Sequence, residues 1–207
     1  MKKLILSIAL MTAFSGAALA QITGSAHDFN QGQSWNTTGE ICIVCHTPHN
    51  SQTLPDAPLW NHQLSSQSSY TIYDQTVSGT FDATAGQPDG ASKLCLSCHD
   101  GTVGLGNFGS TTGNTNYIPG SLNLGTNLSN DHPISFLYNI ALSTTDQGLY
   151  NPTTTNSGLG GTIQNDLLIS DKMQCSSCHD VHNKYNLASL LKVDNTGSAL
   201  CLTCHNK

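Results

Sequence analysis

The sequence predicts a mostly irregular fold with a few short helices and minor β-structure. Three observations predict it. Ser, Thr, Asn, Gly and Gln dominate the 207 residues and only 10% are charged, a composition that favours turns and loops over helix. Long periodic apolar segments are missing, so side chains alone supply no conventional core. The eight Cys form four C-x-x-C pairs, each followed directly by His, so something large is fastened to the chain at four points.

The chain begins Met1-Lys2-Lys3, continues through Leu4 to Leu10 and reaches Ala18-Leu19-Ala20. A basic start, an apolar run and a small-residue A-x-A site make a secretory signal peptide over residues 1–20, cut before Gln21. The apolar run is short of the ~20 residues that span a bilayer. The mature chain, 21–207, is expected to be one exported domain without a membrane span. There is no Arg, one Glu, and a formal charge of −6. That balance gives no electrostatic footprint for nucleic acid or anionic lipid.

Site one is Cys42, Cys45 and His46, with His49 three residues on. Alternation at 70–73 and 76–81 predicts a short hairpin. Site two is Cys95, Cys98 and His99. Loops rich in Gly, Asn, Thr and Ser cover 101–131 and 143–164. Site three is Cys175, Cys178 and His179, with His182 three residues on. Residues 186–193 are expected to be helical and to lead to site four, Cys201, Cys204 and His205. Sites one and three share C-x-x-C-H-x-x-H-N, and sites two and four share S-x-L-C-L-x-C-H. This A-B-A-B order implies two haem-pair modules, about 21–140 and 141–207, within the one domain.

C-x-x-C-H is the attachment sequence of a c-type haem. Two thiols add to the haem vinyl groups and the His is delivered to the iron. Structural disulfides suit an exported chain, and zinc ribbons also use C-x-x-C pairs, but neither explains a His after every pair. Four covalently bound haems c are therefore expected, filling the interior. Trp60, Tyr70, Tyr73 and Phe136 are expected to pack against them.

Each iron takes a second axial ligand or keeps an open position. The only Met beyond residue 20 is Met173, too close to Cys175 to reach the far face of that haem. Five histidines remain for four irons: His27, His49, His62, His132 and His182. This supply meets bis-His ligation throughout, with one to spare. An i+3 histidine sits beside its predecessor and cannot easily reach round the ring to the far face. His49 is therefore expected to serve a haem other than that of His46, and His182 one other than that of His179. Gly104-Leu105-Gly106-Asn107-Phe108-Gly109 matches G-x-G-x-x-G but lies in a polar loop, outside the strand-to-helix setting a nucleotide site needs. No catalytic constellation is present, and the chain is expected not to be an enzyme.

The run C-x-x-C-H-T-P-H-N, P-L-W-N, L-C-L-S-C-H-D-G, D-H-P-I-S-F, C-S-S-C-H-D-x-H and L-C-L-x-C-H-N-K, over His27 to Lys207, resembles the OmcE-type tetrahaem cytochromes. Those assemble into extracellular filaments. The resemblance implies a multihaem cytochrome c fold around a continuous stack of four bis-His haems. It implies head-to-tail assembly in which His49 ligates a haem of the next protomer, with that of His205 as the expected receiver. His27, His132 and His182 would serve within the protomer, leaving His62 unligated. The implied role is extracellular electron transfer between redox partner cytochromes and extracellular acceptors, at the cell surface or beyond. The alternatives are a monomeric periplasmic shuttle and a multihaem reductase with one open haem.

Overall fold

The computed structural model describes residues 21–30, 32–54 and 57–207. The expected signal peptide lies outside the described residues. Most of the chain is turn and irregular structure, as its composition implies. The strands form three separate pairs. β1 (Gln52–Leu54) and β2 (Ala57–Trp60) are antiparallel, β3 (Thr71–Ile72) runs parallel to β4 (Asn127–Leu128), and β5 (Phe136–Leu137) is antiparallel to β6 (Lys172–Met173). The helices are α1 (Gly90–His99), α2 (Ile140–Asp146), α3 (Ile163–Asp166), α4 (Cys175–Cys178) and α5 (Ala199–Cys204). Among the described residues no helix is long and apolar enough to cross a membrane.

Three expectations are corrected. The hairpin at 70–81 is absent, because β3 pairs with β4, more than fifty residues downstream, and 76–81 forms turns. The 186–193 helix is absent. Asn186, Ser189 and Leu190 have φ of 50°, 56° and 57°, which an α-helix does not accept. The backbone bonds of this segment go instead to site three, where Asp180 N–H donates to the Leu190 carbonyl and Lys192 N–H to that of Cys178. Finally, a side-chain core does exist. Ala83, Phe136, Tyr138, Leu142, Ile163, Leu167, Leu168 and Met173 form a buried cluster, with Phe81, Leu149, Leu159 and Cys204 against it. Its members are scattered one or two at a time among polar residues, so no window of sequence shows a period. The loop expected at 143–164 carries the end of α2 and the start of α3, which deliver part of that cluster.

This core holds site four. The Tyr138 ring is 1% exposed, and its hydroxyl donates to the Tyr150 carbonyl at 2.7 Å. Tyr150 N–H in turn donates to the Cys204 carbonyl at 2.8 Å. Tyr138→Phe is expected to lower the unfolding free energy by about 1–2 kcal/mol, the value of one buried hydrogen bond with its acceptor left short. Urea unfolding of the haem-loaded protein measures it, and an unchanged midpoint would show the hydroxyl to be idle.

The G-x-G-x-x-G segment is a packed turn. A Cβ on Gly104 would lie 1.9 Å from the Asn114 carbonyl oxygen, and one on Gly106 2.6 Å from the Asn114 side chain. Glycine is required there for close backbone approach, not for phosphate.

Candidate haem sites

Each C-x-x-C-H turn is held by chain from elsewhere. At site one a 3₁₀ turn, Cys42–Val44, lets the His46 N–H donate to the Cys42 carbonyl. The P-L-W-N segment clasps this turn. Asn61 N–H donates to the Cys45 carbonyl, and the Asn61 side-chain amide donates to that of Ile43 at 2.5 Å. At site two, α1 carries both cysteines on a full helix. Its first turn is not capped by Asp89, although helix N-termini leave orphan N–H groups. Gln174 supplies the acceptor from a distant segment: its Oε1 takes the Ser92 N–H at 3.1 Å and the Ser92 hydroxyl. The Ser135 hydroxyl also donates to it at 3.3 Å, while the Gln174 amide donates to Asp89 at 2.9 Å. Ser92 Oγ then accepts the Cys175 N–H at 3.0 Å. Sites two and three are thus joined by one buried polar hub, which crosses the expected module boundary near residue 140.

The histidines fall into pairs. His27 lies 6.3 Å from His99 between ring centres, His46 6.2 Å from His182, and His132 6.4 Å from His205. Two imidazoles bound to opposite sides of one metal ion have centres about 6.4 Å apart, from ~2 Å of metal–nitrogen bond and ~1.2 Å of ring on each side. All three pairs fit that spacing. Each pairs one C-x-x-C-H histidine with one of the five others, and none pairs a C-x-x-C-H histidine with its own i+3 neighbour. Ring orientation is also fixed. His99 Nδ1 faces the Leu122 carbonyl at 2.8 Å, His132 Nδ1 that of Pro133 at 2.9 Å, and His179 Nδ1 that of Ser189 at 2.9 Å. An N–H donated from Nδ1 leaves the Nε2 lone pair for a metal. Burial, with His99, His179 and His182 nearby, holds His27 down to about 4, so its ring is neutral at neutral pH.

Two candidates stand outside the pairs. His49 is exposed and bonded only through its backbone, to the Thr47 hydroxyl. His62 is 0% exposed. Its Nδ1 faces the Gln63 carbonyl at 2.9 Å, and its Nε2 lies 3.6 Å from Cys98 Sγ. It packs as a buried strut between the first two sites. The C-x-x-C-H histidine without a second ring is His179: among the described residues it makes no ring contact with another histidine. An apolar cavity of 240 Å³ opens beside it, walled by Leu96, Leu128, Ile134 and Met173 with Cys175 and Cys178.

Among the described residues no group of three or more His, Cys, Asp or Glu side chains is placed to hold a bare metal ion. Among the described residues two buried polar atoms lack partners, Trp60 Nε1 and Ser176 Oγ, and both lie at attachment motifs: Trp60 bridges His46 and Ser176 sits inside site three. Of the aromatic side chains expected against haem, Tyr73 lines the cavity at site three and Phe136 lies in the core. Tyr70 differs, since its hydroxyl is taken by Asp100 at 2.6 Å.

Residues 169–207, which hold sites three and four, match the family model described as the doubled CXXCH motif. A search of curated proteins gave no match. The doubled motif marks a c-type multihaem cytochrome-like protein with covalently bound haem c, whose chemistry is electron transfer.

Proposed function

We propose that the chain is an exported tetrahaem electron conduit that polymerises head to tail, each copy completing a haem of its neighbour through His49. When bound, haem c supplies reversible one-electron transfer at low potential under bis-His ligation. The protein's part is to fasten, orient and shield. Cys42 and Cys45, Cys95 and Cys98, Cys175 and Cys178, and Cys201 and Cys204 hold the four groups. His46, His99, His179 and His205 supply one ligand each, and His182, His27 and His132 supply the second for three of them.

The observation that carries the proposal is the mismatch of one. Among the described residues three motif histidines face a second histidine ring, and His179 does not. One exposed histidine, His49, is left to fill that place from outside. The expected receiver, His205, already faces His132, so the receiver is the haem of His179. A contact that joins two different surfaces of one chain does not close on itself and grows an open filament.

Electron paramagnetic resonance of the secreted material, with negative-stain microscopy and haem counting by mass, tests this. Filaments with four low-spin haems per chain are the expected result. A monomer with one high-spin haem would favour a shuttle or reductase with an open iron at His179.

A further inference from the structure

We infer that Asp180 orients His182 towards the haem of His46 and lowers the potential of that haem. This rests on the bis-His reading of the His46–His182 pair. Asp180 Oδ1 lies 3.9 Å from His182 Nδ1, the ring nitrogen left over when Nε2 takes a metal. The His182 ring in turn faces His46 at 6.2 Å, with the two planes 12° apart. At His99, His132 and His179 the group that meets Nδ1 is a neutral backbone carbonyl. At His182 it is a carboxylate.

The carboxylate is locked in place. Oδ1 also accepts the His182 N–H at 3.1 Å, and Oδ2 accepts the Lys184 N–H at 2.8 Å. The Asp180 N–H donates to the Leu190 carbonyl at 2.7 Å. Asp180 thus shapes the turn that carries His182, as well as facing its ring. Its charge is not spent on a lysine: among the described residues it makes no ion pair with one. The Lys192 amine bonds to the Asp166 carbonyl at 3.1 Å, and that of Lys184 lies over the Tyr185 ring. At 3.9 Å the carboxylate is beyond hydrogen-bond range of the ring, so it acts there by its charge. A negative charge beside Nδ1–H makes the imidazole a stronger donor to a metal. The Asp180 side chain is only 16% exposed, where charges interact more strongly than in water and salt screens them less. A stronger donor and a nearby negative charge both favour ferric over ferrous iron, since the ferric ion carries one more positive charge. The turn and the charge are separable contributions.

Potentiometric titration of the haem-loaded protein, read by absorbance and electron paramagnetic resonance, tests this, with haem content checked by mass. His182→Met first assigns the midpoint, because Met/His ligation raises the potential of that haem. Asp180→Asn keeps an oxygen for the His182 N–H and removes the charge. It is expected to raise the midpoint that His182→Met marks, more than any other, with that haem still low-spin. Asp180→Ala removes the turn as well, and is expected to turn part of that same haem high-spin. Asp194→Asn, at an exposed residue, is the control and moves no midpoint. If His182→Met shifts no midpoint, the ligand pairing itself fails. If it marks one, and the largest shift in Asp180→Asn falls on another midpoint or on none, the pairing stands and the charge role is overturned. A fully low-spin haem at that position in Asp180→Ala overturns the orienting role.

Discussion

His49→Ala is expected to abolish filaments, or leave only short ones, and to turn one haem per chain high-spin. His49 is exposed and its contacts are local backbone ones, so the folded protomer should lose less than ~0.5 kcal/mol. The effect falls instead on assembly, because on the proposed ligation an iron–imidazole bond between protomers is lost at every junction. Negative-stain microscopy reads the filament and electron paramagnetic resonance reads the iron. The high-spin signal should belong to the haem of His179, the motif histidine that makes no ring contact with another histidine among the described residues. Long filaments with four low-spin haems after this change would sink the inter-protomer ligand. His62→Ala provides the contrast. It removes a buried strut, and is expected to lower stability while leaving all low-spin signals in place.

Gln174→Leu is the second large effect. The side chain is 3% exposed and collects three donors on one oxygen: the Ser92 N–H, the Ser92 hydroxyl and the Ser135 hydroxyl. Leucine matches its bulk and none of its polarity. A buried donor left without a partner costs about 1–3 kcal/mol. Ser92 N–H lies in the first turn of α1 and has no intrahelical acceptor to fall back on. A loss of about 4 kcal/mol in unfolding free energy is expected, measured by urea unfolding of the haem-loaded protein. A loss below ~1 kcal/mol would mean that water or Asp89 takes over the cap. The same variant should loosen the spacing of sites two and three, since Cys175 N–H is also bonded through Ser92.

The polar, glycine-rich composition foretold the irregular fold, and the four C-x-x-C-H motifs were legible residue by residue, because both signals are local. What sequence did not yield is what depends on distant segments. β3 takes its partner from residue 127, and local alternation at 70–81 gave no hint of that. Residues 186–193 have helix-forming composition, yet their bonds are spent on site three through Ser189 and Leu190. The core escaped notice because Phe136, Ile163 and Leu167 come from short elements separated by polar runs. The supply of spare histidines was countable, but which faces which was not: His182 reaches His46 and His27 reaches His99 through folding alone.

The pairing of His46 with His182 also bears on how such a chain is made. An exported polypeptide emerges from its amino end, so His46 and its two cysteines appear early and His182 near the last. On the proposed ligation, the first haem to be attached waits longest for its second ligand. Closing so wide a loop carries an entropic cost that local contacts do not share, and contacts of that sequence separation form late. A chain that stalls or is clipped before residue 182 would display an early haem with an open, reactive iron. On the proposed export route, completion of the chain acts as the quality check on the first site, and a truncated product should be recognisable by its peroxidase-like reactivity.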